Sequence, residues 1–141
     1  FNSRLDNLQA AILNFFFQDY DETVKRRRHI ADLYHEGLSN IDELTLPPAA
    51  NSGNHFDIYQ NYEIEAKRRD SLKEYLSSKN IGTLVQWGGK AVHEFKDLGF
   101  TQSLPITEKI MRDSLMLPLN MTVTDVEIKY ICKCIRSFYH D

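Results

Sequence analysis

Only two cysteines occur in the 141 residues, Cys132 and Cys134, too close together for a scaffold of bridges and without the companions of a zinc site. Neither sign of charge dominates: 17 Lys and Arg stand against 20 Asp and Glu, a net charge of −3. That balance argues against a dedicated DNA or RNA binder, which normally carries a basic excess. No apolar run approaches the roughly 18 residues of a membrane span, and no signal peptide is visible. G-x-S-x-G, Walker A and G-x-G-x-x-G are all missing, as are internal repeats and low-complexity stretches. The five histidines show no metal spacing. What is present, 42% hydrophobic and 11% aromatic residues, suffices for a sizeable core in one domain. The expectation is a soluble, cytoplasmic globular domain. Its chain opens on Phe1, with no initiator Met, and runs straight into helical pattern.

The first 38 residues read as one long helix. Ser3 is its expected cap, with Asp6 as acidic partner, and apolar residues from Leu5 through Ile12, Phe15, Phe16, Val24 and Tyr34 to Leu38 recur near the helical period. A kink near residues 18–22 is equally compatible with the pattern, and Gly37 with Ser39 and Asn40 supplies the stop. Residues 46–54 form a loop. Alternation through residues 60–66 predicts a strand, and Ser71 with Glu74 has the spacing of a capping box for a short helix. Residues 81–87 predict a second strand, which Gly88 and Gly89 break; residues 90–95 suit one helical turn. Pro105 opens a helix to about Leu115, residues 116–119 are a short extended piece, and Thr124 with Glu127 caps a last helix whose apolar face is Ile128, Ile131, Ile135 and Phe138. The order α-β-α-β-α-α implies an α+β fold with helices packed on a modest sheet.

Four features could carry chemistry. Residues 25–28 (KRRR) point in four directions on a helix and read as a solvated face, with phosphate contact as the alternative. Asn2 and Arg4, at a helix start with unsatisfied N–H groups, suit an anion, against the plainer reading of a capped helix with an exposed Arg. Gln86, Trp87, Gly88, Gly89 and Lys90 follow a predicted strand. Either the glycines admit a ligand that Trp87 stacks on and Lys90 pairs with, or the segment is a tight turn with a core Trp. His93 is the histidine beside this punctuation and the one site candidate, with a structural role as the alternative. Cys132 and Cys134 diverge on a helix, one expected in the core and one at the surface; neither shows the base a thiol nucleophile needs.

The blocks FNSRLDNLQAAIL, RRRHIADLY, NIGTLVQWGGKAVHEF and MLPLNMTVTDVEIKYI together resemble the DegT/DnrJ/StrS aminotransferases, nearly end to end and in order. The resemblance implies a homodimeric, fold-type I pyridoxal 5'-phosphate enzyme. It would move an amino group from glutamate to a nucleotide-linked keto-sugar in deoxyaminosugar biosynthesis, as for lipopolysaccharide. On it, residues 1–40 are a long helix linking the large and small domains, and residues 41–141 are the small C-terminal α+β domain. The large cofactor-binding domain, with the Schiff-base lysine, lies upstream and is absent. No lysine here takes the catalytic role, Lys90 included, and the 141 residues alone are expected to be inactive and not to hold the cofactor. Asn2 matches the asparagine that reaches the cofactor phosphate across the dimer interface, and Arg4 the arginine near the cofactor and the donor's carboxylate. Gln86, Trp87, Lys90 and His93 fall on the substrate side. Many members carry His-Tyr where Gln86-Trp87 stands, and the spacing to His93 is longer here. The Q-W-G-G-K-A-V-H version is similar to enzymes that aminate dTDP-3-keto-6-deoxyhexoses. Two alternatives stand beside this: a sugar dehydratase of the same family, and a non-catalytic module dimerising through its first helix and residues 15–17 (FFF). No metal, nucleic acid or membrane partner is expected.

Overall fold

A computed structural model describes residues 6–50, 52–53 and 56–140. The expected long helix is two: α1, Asn7–Phe17, and α2, Tyr20–Leu38. The break falls at Gln18 and Asp19, inside the interval where a kink fitted the pattern, and Asp21 and Glu22 give the new helix start the acidic residues its dipole favours. Ser3 lies outside the described residues. Asp6, expected as the partner of the cap, is itself the N-cap: its carboxylate accepts from the Leu8 N–H at 2.7 Å. Nothing on α1 is buried, so Leu8, Ile12, Phe15 and Phe16 do not reach the core as the periodicity suggested.

The core forms where α2 lies along α5, Asp125–His140, above a three-stranded sheet. From α2 come Ile30, Ala31, Tyr34 and Leu38; from α5 come Ile128, Ile131, Cys132 and Ile135. Gly37 is no stop signal. It sits within α2, and a Cβ there would lie 2.6 Å from Cys132 Sγ and 2.9 Å from Cys132 Cβ. The missing side chain is what lets the two helices approach. Both cysteines are buried, contrary to the expected split, because α5 is covered by α2 on one side and by α3, Arg69–Ser78, on another. Burial pushes the Cys132 thiol up to about 11, which keeps it protonated and unreactive.

The antiparallel sheet runs in the order β1 (Leu44–Thr45), β2 (Tyr62–Ala66), β3 (Ser114–Leu117). Alternation places Tyr62, Ile64 and Ala66 inward, as read from the sequence. The expected strand over residues 81–87 is not formed. Only Leu84 bridges to Met116, and the third strand comes instead from residues 114–117, which overlap the first half of the extended piece expected at 116–119. β1 was hidden at the edge of the expected loop. The Ser71–Glu74 box is unused, since α3 begins earlier, at Arg69, straight after Arg68 in the left-handed region (φ 58°). By contrast the Thr124–Glu127 box is built. The Thr124 N–H and hydroxyl both donate to Glu127 at 2.7 Å, and the Glu127 N–H returns to Thr124 Oγ1 at 3.3 Å. α4, Pro105–Asp113, starts on its proline as expected.

Candidate functional site

The Gln86–Gly89 segment hangs from the sheet edge. Leu84 exchanges both backbone hydrogen bonds with Met116, at 3.2 and 2.8 Å, and Val85 is still extended. Then Trp87, Gly88 and Gly89 all take positive φ, at 53°, 66° and 71°. Three successive left-handed residues cannot continue a ladder, which is why the expected strand stops there. Glycine accepts this conformation freely; Trp87 does not, at a cost of about 1–3 kcal/mol. Nor does Trp87 recover that cost by burial, since its side chain is 77% exposed. The turn is therefore tight but its Trp is not core. A large exposed aromatic ring on a strained backbone, with exposed Lys90 three residues on, is the arrangement a ligand site uses.

Next along the chain, short turns at Val92–Glu94 and Lys96–Leu98 lead to α4. Between them lies an open groove of about 530 Å³ whose lining includes Lys90, His93, Lys96, Phe100, Gln102 and Glu108. The His93 side chain is almost covered, and its Nε2 pairs with Glu108 Oε1 at 3.1 Å. Glu108 is held in turn: the Leu104 N–H donates to the same oxygen at 2.8 Å, closing the start of α4. That backbone N–H, and after it His93, keep the Glu108 carboxyl below its ordinary range. The carboxylate thus fixes the imidazole against the groove wall and leaves Nδ1 without a partner among the described residues. His93 is both structural and site-facing, the two readings its sequence context left open. Glu108, fifteen residues away, gave no sequence signal beyond its place in the first turn after Pro105.

The basic run is not a solvated face. Arg26 donates to Asp125 and to the Val123 carbonyl, Arg27 to the carbonyls of Tyr59 (3.0 Å) and Gln60 (2.8 Å), and Arg28 to those of Asp57 (2.6 Å) and Ala50. Arg28 also stacks over Phe56 at 4.2 Å. Consecutive arginines fan around α2: Arg26 takes the loop before α5, while Arg27 and Arg28 share the 57–60 segment, Arg28 reaching Ala50 as well. Only Lys25 is plainly solvent-facing, paired with Glu22 at 2.6 Å.

Asn2 and Arg4 lie outside the described residues. Among those described, no three or more His, Cys, Asp or Glu are grouped to hold a metal. What the turn and groove can do is bind: an aromatic face for a ring, lysine ammonium groups for an anion, and an oriented imidazole for a hydroxyl or carbonyl.

Comparison with known proteins places the chain as a whole. The sequence model of the DegT/DnrJ/EryC1/StrS aminotransferase family matches residues 1–136. A protein of Geobacillus stearothermophilus named pleiotropic regulatory protein is 31% identical over 99% of this chain and 38% of its own length. The dTDP-3-amino-3,6-dideoxy-alpha-D-galactopyranose transaminase of Aneurinibacillus thermoaerophilus is 30% identical over 97% of this chain and 37% of its own. The crystal structure of DesV from S. venezuelae, in complex with a ketimine intermediate, superposes with a TM-score of 0.89 at 26% identity, covering 99% of this chain and 38% of that one. The chain thus spans a little over a third of the length of the relatives it matches.

Proposed function

This chain belongs to the DegT/DnrJ/EryC1/StrS aminotransferase family, and from that premise we propose that it is the C-terminal part of a pyridoxal-phosphate enzyme transferring an amino group from glutamate to a nucleotide-linked keto-sugar. The observation that carries the reading is a family match across nearly the whole chain, coupled to relatives more than twice its length. The sugar class is dTDP-3-keto-6-deoxyhexose, supported by the Q-W-G-G-K-A-V-H stretch and by the dTDP-3-amino-sugar transaminase among the relatives. Residues 1–40 connect to an upstream cofactor-binding domain, and residues 41–141 form the small domain of a cytoplasmic homodimer. The described residues contain no helix long and apolar enough to cross a membrane.

When bound, pyridoxal phosphate supplies the electron sink that transamination requires. The residues of this chain bind and orient. Asn2 reaches the cofactor phosphate, and Arg4 sits near the cofactor and the donor's carboxylate. Trp87 stacks on a ring of the sugar nucleotide beside Gln86, and Lys90 neutralises its diphosphate. His93, held by Glu108, presents Nδ1 to a sugar oxygen. The Schiff-base lysine lies upstream, so these 141 residues alone have no activity.

The test is incubation of the full protein carrying this chain with glutamate and dTDP-3-keto-6-deoxyglucose, followed by mass spectrometry of the nucleotide sugar. Replacement of the keto oxygen by an amino group is expected. Loss of oxygen without gain of nitrogen would establish the dehydratase alternative instead. Activity in the isolated 141 residues would refute the assignment of the lysine upstream. For the cofactor contacts, Asn2→Ala and Arg4→Ala are expected to weaken cofactor retention or donor use. Normal cofactor absorbance with an unchanged glutamate KM in both variants would remove those two residues from the site.

A further inference from the structure

Among the described residues, Arg69 is the one charged residue that is buried, 9% exposed. It opens α3 immediately after left-handed Arg68. Its Nε donates to Asp70 Oδ1 at 2.7 Å, but that carboxylate is largely in water and compensates little of the cost of burying a cation. The stronger reason for the burial lies on the other side. Nη1 donates to the Ser114 carbonyl at 2.9 Å and to the Met111 carbonyl at 3.4 Å. Both belong to the junction of α4 and β3, where the helix leaves its last carbonyls without helical partners and its dipole favours positive charge.

The remaining face of the guanidinium lies against the turn. A Cβ built on Gly89 would stand 3.0 Å from Arg69 Nη2, 3.4 Å from Nη1 and 3.3 Å from Val85 Cγ1. Gly89 is therefore glycine for two reasons: its φ of 71°, and the guanidinium occupying the space a side chain would need. The same junction leads into β3, whose Met116 bridges Leu84 at the entrance of the turn. One planar group thus touches the start of α3, the end of α4 and the floor of the turn, and the strand it braces holds the turn's entrance.

We propose that Arg69 is the positioning residue of the Gln86–Gly89 turn: its fork ties the α4–β3 junction to α3 and forms the surface on which Gly89 rests, so that Trp87 and Lys90 are presented to substrate in one orientation. The proposal rests on the reading above that this turn meets the sugar nucleotide. A lysine at this position would keep the charge but not the fork. An apolar residue would fill space but leave two carbonyls of the junction without the donor they now share.

The experiment compares Arg69→Lys, Arg69→Met and Gly89→Ala in the full protein carrying this chain, by hydrogen exchange resolved to peptides. Each variant is expected to speed exchange over residues 84–93 by roughly tenfold, with peptides of α5 unchanged. The double variant Arg69→Met/Gly89→Ala is expected to match the larger single effect, because both break one contact. Steady-state kinetics on the same proteins is expected to raise the KM for the keto-sugar about tenfold, with kcat within about threefold and the glutamate KM unmoved. Should Arg69→Met fail to fold, Arg69→Lys and Gly89→Ala carry the same readings. Unchanged exchange over residues 84–93, or a uniform increase in all peptides, overturns the positioning role. Faster local exchange with an unmoved sugar KM upholds the contact and overturns the substrate reading of the turn.

Discussion

Tyr34 and Tyr62 stack at 4.8 Å in the centre of the core, yet their hydroxyls have different fates. Tyr34 donates to the Pro118 carbonyl at 2.8 Å; the Tyr62 hydroxyl is buried with no hydrogen-bond partner among the described residues. Burial raises the pKa of both phenols above their ordinary value, so neither ionises at working pH. Tyr34→Phe removes a satisfied bond and is expected to cost about 1 kcal/mol, whereas Tyr62→Phe removes an unpaired polar group and should be neutral or stabilising. Urea denaturation decides it, and equal losses in the two variants would contradict the distinction. At this scale the sequence was legible for apolar character and poorly legible for partners. Both tyrosines read as core by period, but nothing local told which hydroxyl meets a carbonyl. Arg26, Arg27 and Arg28 read as solvated because the loops they hold lie 22 to 99 residues away.

Helices were legible where local chemistry writes their ends and illegible where a neighbour does. Thr124 and Glu127 mark a real helix start because their bonds close within one turn, and Pro105 marks another because its fixed φ suits a first position that needs no N–H donor. Gly37 looked like a terminus, yet its function is the α2–α5 crossing. Gly37→Ala gains about 1 kcal/mol of helix propensity but drives a methyl into Cys132, and overpacking of about 1–3 kcal/mol should prevail. A lowered melting temperature, restored in part by adding Cys132→Ala, is the expected result; a raised one would show that the helices separate freely. The same helix pair is tied at its other end by Asp125, whose carboxylate accepts from Arg26 and pairs with His29 at 2.9 Å. His29 first, and Arg26 after it, lower Asp125 from its ordinary 3.8 to about 2. A depressed carboxylate stabilises the fold above its unfolded pKa and loses that contribution as pH falls toward the folded one. Stability should therefore decline between about pH 4 and pH 2, and Asp125→Asn should be less stable at neutral pH and flatter across that window. Parallel acid titrations of urea midpoints would expose the idea as wrong if the slopes coincide.

Taken as a whole, the molecule has a finished side and an unfinished one. The α2–α5–sheet core is closed, while α1 leaves Leu8, Ile12, Leu13, Phe15 and Phe16 all about half or more exposed on a helix with no buried residue. Contiguous apolar surface of that kind drives association. The 141 residues alone are expected to sediment as more than a monomer, and Ile12→Glu with Phe16→Glu to shift them toward monomer; a clean wild-type monomer would refute this. What the sequence by itself determined is whatever depends on short range and on kind: helix periods, two capping signals, the inward face of β2, and a family resemblance that the comparisons bear out. What only the tertiary structure decided is whatever depends on a distant neighbour. The strand at residues 114–117 exists because β2 is there to pair with it, and the turn at 87–89 refuses strand geometry because its backbone is left-handed. His93 is oriented by Glu108, and a guanidinium at Arg69 is buried because carbonyls from another helix end are waiting for it. Periodicity records how a segment presents its own side chains; it carries no information on which backbone groups, brought from far along the chain, will meet them.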